Sequence, residues 1–541
     1  MKVYQALARG LIELEVENLF GLIGDANLYM VDSYVRDYKG KFTSSIHEVG
    51  SVLMALGYAQ ASGRIGVATV THGPALTNTL TALVEGVKSG IPMVLLAGDT
   101  PSDDLEHLQK VNQREFIIAT GAGFEQLRTR ETIGADLTRC FYRAWFEKRP
   151  IVLNMPLELQ WQDAPDEKLN LRLPEAHYST SSGTEMDHAI GIIASSRLPV
   201  VVAGRGAIQS EARNSILRFA ERIEAPVATT LRGKGLFVGE DFNLGLFGTL
   251  SHPVALDVIT RSDCVISFGA SFNKYTTARG ALSQKKRIIQ VGPNPAHMSR
   301  FTRFDAGLVG DPGLMAEAMI SLLNEAEIPG SGGRTEDLRQ SLQSYEPRTH
   351  FAKNMRSGFV DIIEALRAIN STLPEDRVFV TDTGRFIKTA WWAIDVQKPQ
   401  DYVHTTSFAA IGLGLGQAIG AATAADGRPT LLVSGDGGFM LAGVSELVSA
   451  VREKLDLVIV ICNDGSYGAE HIQFRNKDMP PDLSLFAWPD FVPVAKSLGA
   501  DGATVRSSND LKLAMAALKQ RDRSRPFLID LKLDPDSIPV D

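Results

Sequence analysis

Short apolar runs recur along the chain and alternate with longer amphipathic stretches. Continuous apolar runs of strand length are typical of parallel strands buried on both faces of a sheet. The runs fall into three blocks: Gly66–Val70, Pro92–Ala97 and Pro150–Asn154; then Pro199–Ala203, Pro226–Thr230, Cys264–Phe268 and Arg287–Val291; then Val378–Thr381, Thr430–Val433, Leu457–Ile461 and Pro526–Leu531. The pattern predicts an α/β protein with three doubly wound, mainly parallel-sheet domains.

Two polar stretches rich in Pro, Gly, Ser or Glu separate the blocks. They predict linkers at Pro165–Ser182 and Asn324–Glu346. We therefore expect an N-terminal domain at residues 1–165, a middle domain at residues 185–325 and a C-terminal domain at residues 355–541. Several domains are also what 541 residues require, because a single hydrophobic core does not grow to that size.

Composition narrows the class of protein. The net charge is −8 and no run of Lys or Arg occurs, which argues against a nucleic-acid-binding surface. The three cysteines form no CxxC pair, so neither a disulfide framework nor a zinc site is expected. The longest apolar runs are too short to span a membrane, and the amphipathic N-terminus is not a secretory signal. We expect a cytoplasmic protein with no membrane partner.

Two predicted strands of the third block end in glycine-rich polar segments. Thr430–Val433 runs into Ser434-Gly435-Asp436-Gly437-Gly438, and Leu457–Ile461 runs into Cys462-Asn463-Asp464-Gly465. Ligands of such sheets bind at the carboxyl ends of strands. Glycine lets backbone N–H groups approach phosphate oxygens, and a carboxylate, an amide oxygen and a main-chain carbonyl suit Mg²⁺. These segments predict a magnesium–diphosphate site, although a GDG turn before a helix is also common without a ligand.

Asn463 follows Asp436 by 27 residues. This pairing resembles the signature of thiamine-diphosphate-dependent enzymes, in which GDG is followed at such a distance by two asparagines. The resemblance implies that the side chains of Asp436 and Asn463 and the carbonyl of Gly465 bind Mg²⁺. It also implies that the neighbouring glycines contact the diphosphate: Gly435, Gly437 and Gly438. Cys462 replaces the first asparagine, but the ligand is the second. A register shift of one residue would make Asp464 the ligand instead.

The segment around Glu48 matches the part of this family that activates the cofactor. Ile46–Gly50, and Gly66–Asn78 (GVATVTHGPALTN), resemble the N-terminal domain of the acetolactate synthase and 2-oxo acid decarboxylase family. The resemblance implies that Glu48 promotes the imino tautomer of the cofactor's aminopyrimidine, which requires an apolar pocket that favours a protonated carboxyl. Alternatively, Glu48 is simply an acid at a helix N-terminus, where the helix dipole favours it.

A glycine-rich stretch, Ser407–Gly420 (SFAAIGLGLGQAIG), matches the family segment that receives the pyrimidine. The resemblance implies that Ile411 is the apolar wedge that bends the cofactor and that Gly412 lies beside it. The alternative is a glycine-rich helix that packs closely on a neighbour. Upstream, TDTGR resembles the loop beside the diphosphate, which makes Gly384 a cofactor contact. Arg385 either reaches a phosphate or is an exposed arginine.

The resemblance covers essentially the whole chain, with the motifs in the family's order. It implies a pyrimidine-binding domain, a middle domain and a diphosphate-binding domain, with the active site between subunits of a homodimer or homotetramer. A non-catalytic homologue would be expected to lack Glu48 or the metal ligands, and all are present.

Two outcomes of the reaction remain open: a 2-oxo acid decarboxylase that releases an aldehyde, and an acetolactate-synthase-like carboligase that uses an aldehyde or second 2-oxo acid. The sequence Gly24-Asp25-Ala26-Asn27 resembles the GDxN loop of the decarboxylases and implies a catalytic Asp25. Glu470 lies near their second active-site acid, with a shift of one residue. The double histidine of the decarboxylases is absent, and only His107 lies close, where a surface histidine is the stronger interpretation.

Other features favour the synthases. His72 lies in a Thr-x-Gly-Pro pattern that resembles them, and it is either a proton donor at the reacting carbon or a buried structural histidine. Gln109 is similar in position to their active-site glutamine.

We expect the proline-containing segment Arg475–Trp488 to be a mobile lid that shapes the substrate pocket.

The middle domain argues against a flavin. Synthases that carry FAD have an Arg-x-Asp-Asp segment after a Phe-Gly turn, whereas Phe268–Lys274 reads FGASFNK, so we expect no FAD. Gly204-Arg205-Gly206 leaves open a nucleotide-binding oxidoreductase. However, Ile208 and Gln209 follow, so a Rossmann GxGxxG is incomplete.

Overall fold

The structure is a computed structural model that describes residues 1–166, 179–180, 182–346 and 356–537. The chain forms two compact units. One consists of Met1–Leu173, Ala352–Ile394 and Val403–Asp541, and the other of Pro174–Phe351 and Asp395–Tyr402. The first unit holds two sheets and the second holds one.

The N-terminal sheet has six strands in the order β2-β1-β3-β4-β6-β5, and all of its pairings are parallel. The strands are β1 (Asn18–Gly21), β2 (Lys41–Ser44), β3 (Gly66–Val70), β4 (Met93–Asp99), β5 (Gly123–Gln126) and β6 (Pro150–Pro156). The helices are α1 (Val3–Glu13), α2 (Leu28–Arg36), α3 (Glu48–Ser62), α4 (Pro74–Thr77), α5 (Leu80–Ser89), α6 (Gln113–Thr120), α7 (Ile133–Glu147) and α8 (Leu157–Gln160).

The sheet of the second unit has the order β12-β11-β10-β7-β8-β9. Its strands are β7 (Pro199–Ala203), β8 (Val227–Thr229), β9 (Asn243–Leu246), β10 (Cys264–Phe268), β11 (Arg287–Gly292) and β12 (Ala306–Val309). Its helices are α9 (Thr184–Ala194), α10 (Arg205–Gln209), α11 (Arg213–Arg222), α12 (Pro253–Arg261), α13 (Pro312–Glu325) and α14 (Glu336–Gln343).

The third sheet, in the first unit, has the order β14-β13-β15-β16-β18-β17. Its strands are β13 (Val378–Thr381), β14 (Tyr402–Val403), β15 (Thr430–Gly435), β16 (Leu457–Asn463), β17 (Asp501–Val505) and β18 (Phe527–Lys532). Its helices are α15 (Ile362–Thr372), α16 (Ile387–Ala393), α17 (Gly414–Thr423), α18 (Asp436–Ala442), α19 (Leu447–Arg452), α20 (Gly468–Asn476), α21 (Phe491–Ser497) and α22 (Ser508–Lys519). The three parallel sheets with flanking helices confirm the predicted fold class.

The two sheets of the first unit share one core, because α3 packs against α17. Ten consecutive residues of α3, Gly50–Ala59, and eight of the ten residues of α17 are buried, as expected for helix segments that are apolar on all faces. A Cβ on Gly57 would overlap the backbone of Gln417, and a Cβ on Gly420 would overlap the carbonyl of Met54. Glycine therefore lets the two backbones touch, and the packing interpretation of the glycine-rich stretch is confirmed.

The second predicted linker is not a linker throughout. α13 continues to Glu325, and α14 begins after Thr335, whose hydroxyl accepts the N–H of Leu338. Leu338 and Leu342 pack against the core of the second unit, so the polar composition conceals an amphipathic helix. Most of the first predicted linker, residues 167–178 and 181, lies outside the described residues.

The turn at Gly204–Gly206 is explained by packing within the second unit. A Cβ on Gly204 would lie 2.5 Å from the carbonyl oxygen of Gly269, and one on Gly206 would lie 2.7 Å from its Cα. Gly269 itself has a φ of +64°. Glycine is therefore required where these two loops cross, which accounts for the motif without a nucleotide. Among the described residues, no helix has the length and apolarity needed to cross a membrane.

Candidate active site

Asp436 joins the ends of two neighbouring strands. β15 ends at Gly435, and Asp436 is the first residue of α18. Its Oδ1 accepts the N–H of Gly437 at 2.9 Å, and its Oδ2 accepts the N–H of Gly465, beyond the end of β16, at 2.8 Å. The structure therefore brings together the two segments that the sequence pairs.

Asn463 is the last residue of β16, and its side chain has a defined orientation. The amide nitrogen donates to Oδ1 of Asp530 at 2.9 Å, so the amide oxygen is the end that can ligate a cation. The carbonyl of Gly465 accepts the N–H of Phe486 at 2.7 Å and retains a second lone pair. A carboxylate, an amide oxygen and a main-chain carbonyl are thus available in this part of the sheet edge.

The electrostatics of this edge favour a cation. Asp436 is 3% exposed, and burial, together with the charge of Asp464, raises the pKa of its carboxyl to about 7. Two carboxyls this close destabilise each other's charged form, and a divalent cation would offset the repulsion. The donor set therefore fits Mg²⁺.

Arg385 is buried, not exposed as the simpler interpretation of the sequence had it. Its side chain is 4% exposed and its Nη2 donates to Oδ2 of Asp464 at 2.7 Å. Its Nε and Nη1 are buried without a hydrogen-bond partner in the described chain. Buried guanidinium donors require acceptors, and the oxygens of a diphosphate are suitable ones.

The glycines of the GDGG motif contact the segment that was matched to the pyrimidine. A Cβ on Gly438 would lie 2.7 Å from Oδ2 of Asp382 and 3.1 Å from the backbone nitrogen of Gly412. A Cβ on Gly437 would lie 2.7 Å from the ring of Tyr467 and 4.0 Å from Cδ1 of Ile411. The two predicted cofactor segments of this domain are therefore neighbours.

Asp382 organises this arrangement, and the sequence did not single it out. It directly follows β13 and is 1% exposed. Its Oδ2 accepts the N–H of Gly412 and the hydroxyl of Ser434, both at 3.0 Å, and its Oδ1 accepts the N–H of Thr383. Burial raises the pKa of its carboxyl to about 6. The only signal was its place at a strand end, beside Gly384.

Glu48 is the first residue of α3, and the side chain of His47 caps the helix by accepting the N–H of Val49. Oε2 of Glu48 accepts a hydrogen bond from Nδ2 of Asn78 at 3.0 Å and lies 3.6 Å from Nδ1 of His47. Its side chain is 17% exposed, and both of these neighbours of the carboxylate are polar. The helix-terminus interpretation and the catalytic one are compatible with this position.

Asp25, His72 and His107 gather at the carboxyl ends of N-terminal strands. The rings of His72 and His107 contact edge to face, with centroids 5.2 Å apart. His72 is 2% exposed and its Nδ1 has no hydrogen-bond partner in the described chain. Burial lowers the pKa of His72, the charge of His107 lowers it further, and Asp25 partly opposes them. His107 is therefore not an isolated surface histidine.

Three family models match the chain in the order of its sheets: the N-terminal TPP binding domain of thiamine pyrophosphate enzymes at residues 1–118, their central domain at residues 186–319, and their C-terminal TPP binding domain at residues 382–531. The chain belongs to the thiamine pyrophosphate enzyme family. It is 26% identical to an acetolactate synthase of Mycobacterium bovis, over 94% of this chain and 84% of the relative. It is 27% identical to a probable acetolactate synthase large subunit of Methanocaldococcus jannaschii, over 99% of this chain and 92% of the relative.

Membership of the thiamine pyrophosphate enzyme family confirms the predicted family and thiamine diphosphate as its cofactor. The residues fit this cofactor: Arg385 has buried donors without a partner in the described chain, and Asp436 joins two strand ends that offer oxygen ligands. The structure does not bring all the predicted acids together. Glu470 is exposed in the first turn of α20, and no hydrogen bond among the described residues joins it to Asp25 or His72.

The segment predicted to be a lid is attached to the loop after β16. Ser466 forms an isolated bridge with Leu485, and the rings of Tyr467 and Phe486 contact edge to face at 4.5 Å. Phe486 in turn stacks on Trp488 at 4.9 Å. A second glutamine, the buried Gln113, lies near the predicted Gln109. Gln113, not the exposed Gln109, accepts the N–H of Gly73 at 2.8 Å.

Proposed function

We propose that the chain is a thiamine diphosphate- and Mg²⁺-dependent enzyme that decarboxylates a 2-oxo acid and ligates the resulting acyl unit to a second carbonyl compound. The proposal rests chiefly on the link between Asp436 and Gly465, which aligns a carboxylate, an amide and a carbonyl at one sheet edge in a chain that also carries Glu48. The names of the relatives favour the carboligase outcome.

The proposed roles follow from the positions of the side chains. Asp436, Asn463 and the carbonyl of Gly465 hold Mg²⁺, and the N–H of Gly438 lies at the start of α18, where a helix N-terminus favours an anion. When bound, thiamine diphosphate would supply a carbon nucleophile for the 2-oxo carbon and an electron sink for the bonding pair left behind by departing CO₂.

Protons are handled by a second group of residues. Glu48, held by Asn78, exchanges a proton with the pyrimidine, and Ile411 seats the ring. His72 is neutral at physiological pH because burial lowers its pKa, so it can accept or donate a proton through a buried nitrogen. Asp25 is exposed beside it, and Glu470 is the candidate second acid.

A second candidate is a simple 2-oxo acid decarboxylase that releases an aldehyde. The contact between His72 and His107 favours it, since a pair of imidazoles beside Asp25 can deliver a proton to the new carbon–hydrogen bond. Incubating the holoenzyme with single 2-oxo acids and with mixtures of 2-oxo acids and aldehydes tests both candidates. CO₂ together with acyloin or acetohydroxy acid supports the carboligase, CO₂ with aldehyde alone supports the decarboxylase, and no CO₂ from any 2-oxo acid contradicts both.

We also propose that the active enzyme is a homodimer or homotetramer with active sites between subunits. Large apolar side chains are exposed on the segments that carry the cofactor residues: Ile46 is 41% exposed, Phe408 39% and Leu441 63%. Exposed apolar side chains in such positions are typical of an interface. Sedimentation equilibrium tests this, and a monomer that turns over substrate would contradict it.

The middle domain is proposed to function without FAD. The Arg-x-Asp-Asp segment of the FAD-carrying synthases is missing from Phe268–Lys274 (FGASFNK), and the turn at Gly204 is filled by the carbonyl of Gly269. The absorption spectrum of the purified protein tests this, because a bound flavin would give a visible band.

A further inference from the structure

Two buried glutamates hold the cofactor segments of the first unit, each from the opposite domain. Glu446, at the start of α19 in the C-terminal domain, contacts the N-terminal loop just before Glu48. Glu85, on α5 in the N-terminal domain, contacts the C-terminal loop just before Ile411. Neither glutamate belongs to a motif of the cofactor site.

The contacts of Glu446 fix the backbone that leads into α3. The residue is 2% exposed, and its Oε1 accepts the N–H of Ile46 at 3.0 Å. The hydroxyl of Ser449 lies 2.7 Å from that oxygen and 3.0 Å from the carbonyl oxygen of Ser44. A Cβ on Gly50 would overlap Oε2 of Glu446, so glycine is required there to admit the carboxylate. Glu446 therefore packs closely against the backbone on both sides of Glu48, at Ile46 and Gly50.

Glu85 makes equivalent contacts from the N-terminal domain to a loop of the C-terminal domain. The residue is fully buried, and its Oε1 and Oε2 accept the N–H groups of Ser407 at 3.1 Å and Phe408 at 2.6 Å. A serine again accompanies the glutamate, since the hydroxyl of Ser89 lies 2.6 Å from Oε1 and 2.8 Å from the hydroxyl of Ser407. The next residue, Ala409, has a φ of +61°, which a non-glycine residue adopts only at a cost of about 1 kcal/mol.

We propose that Glu85 and Glu446 are positioning residues for cofactor activation: Glu446 sets the position of Glu48, and Glu85 sets the position of the Ile411 segment. Buried carboxylates bound to backbone N–H groups are costly to desolvate and are retained where they fix a conformation. Each glutamate binds its loop through backbone N–H groups, so the constraint acts on the backbone and carries the functional side chain with it. The effect on cofactor activation rests on the proposed function, whereas the positioning of the two loops does not.

Hydrogen–deuterium exchange of the full-length protein tests the structural part without cofactor or substrate. Glu446→Gln keeps the shape but places an amide nitrogen against backbone donors, and it should speed exchange at Ile46 and His47 by about tenfold. Exchange across residues 405–410 should stay unchanged. Glu85→Gln should give the reverse pattern. If a glutamate variant fails to fold, the serine beside it is replaced instead. Ser449→Ala should then speed exchange only at Ile46 and His47, and Ser89→Ala only across residues 405–410, each by a smaller factor.

Asp136→Asn is the matched control. Asp136 is also fully buried and accepts a backbone N–H, that of Arg128, but it contacts neither loop. The Asp136→Asn substitution should lower the free energy of unfolding without changing hydrogen exchange in either loop. Equal acceleration of both loops by all three variants would overturn the proposal and reduce the two glutamates to general stabilisers.

Kinetics test the catalytic part. Glu446→Gln should leave the affinity for thiamine diphosphate within about threefold of wild type and lower kcat by at least about tenfold, since Glu48 acts on the bound cofactor and not in holding its diphosphate. Unchanged kcat alongside faster exchange at Ile46 would overturn the positioning role. If the wild type itself shows no turnover, the proposed function is contradicted. The exchange experiment would still decide whether the two glutamates position the loops, because it needs no activity.

Discussion

The backbone N–H of Gly465 lies 2.8 Å from Oδ2 of Asp436, which fastens the loop after β16 to the first residue of α18. The same carboxylate is buried and faces the charge of Asp464. Two backbone N–H groups orient this carboxylate at a shared strand edge, so it is already placed as a ligand before a cation binds.

Glu48→Gln tests the activating carboxylate. Glutamine retains an acceptor for Asn78 and the start of α3, so thiamine diphosphate should still bind within about threefold of wild type. Turnover of any accepted 2-oxo acid should fall by at least about a hundredfold, since glutamine cannot exchange the proton. Steady-state kinetics with a parallel binding titration check this, and the exposed Glu131→Gln is the control. Wild-type turnover in Glu48→Gln would remove Glu48 from the mechanism.

Gly57→Ala and Gly420→Ala test the contact between α3 and α17. Each added methyl would overlap a backbone carbonyl and force the helices apart, so we expect a loss of about 3 kcal/mol in the free energy of unfolding. Gly191→Ala is the control, because a Cβ there meets no atom within 4 Å and lies in α9. That change should be neutral or stabilising. Urea denaturation measures all three, and equal stabilities would show that the close packing is wrong.

His72 predicts a pH dependence of stability. Its pKa is lowered in the folded protein, so the unfolded chain binds the proton more tightly and stability rises with pH between the lowered pKa and the ordinary value of about 6.5. His72→Gln should remove this part of the rise, whereas the exposed His188→Gln should retain it. Denaturation at several pH values between about 5 and 7 compares them. Identical profiles for wild type and His72→Gln would contradict the burial of a neutral imidazole.

Arg385 predicts a contribution to diphosphate binding. Arg385→Gln removes two unpartnered buried donors, and the affinity for thiamine diphosphate should fall by about tenfold in the presence of Mg²⁺. The change also leaves Asp464 without its ion pair, so Asp464→Asn and the double variant complete a double-mutant cycle. If the whole effect disappears in the Asp464→Asn background, Arg385 acts through Asp464 and not on the cofactor.

Most central strands of the fold could be predicted from the sequence because each is buried on both faces. Gly66–Val70, Pro199–Ala203 and Cys264–Phe268 match β3, β7 and β10 residue for residue. The six edge strands were missed: β2, β5, β9, β12, β14 and β17. They are short, and several are half exposed, as in β17 (DGATV), so they lack a continuous apolar run.

The site could be predicted only where function lies in local motifs. Asp436 follows a buried strand and Asn463 ends the neighbouring one, so strand position alone predicts that the two segments meet, as the bond between Asp436 and Gly465 shows. The burial of Arg385, the hydrogen bonds of Asp382 and the positions of Glu85 and Glu446 were not predictable. They depend on contacts between segments that are distant in the chain, such as Glu446 with Ile46, and nothing in either local sequence indicates the partner.

The most direct measurement is a titration of thiamine diphosphate into wild type and Asp436→Asn, with and without Mg²⁺, followed by intrinsic tryptophan fluorescence. Wild type should bind tightly only with Mg²⁺, and Asp436→Asn should bind at least about a hundredfold more weakly, because a charged metal ligand is lost. The exposed Asp478→Asn should behave as wild type. Tight binding by Asp436→Asn, or binding by wild type that does not depend on Mg²⁺, would contradict the metal site on which the account rests.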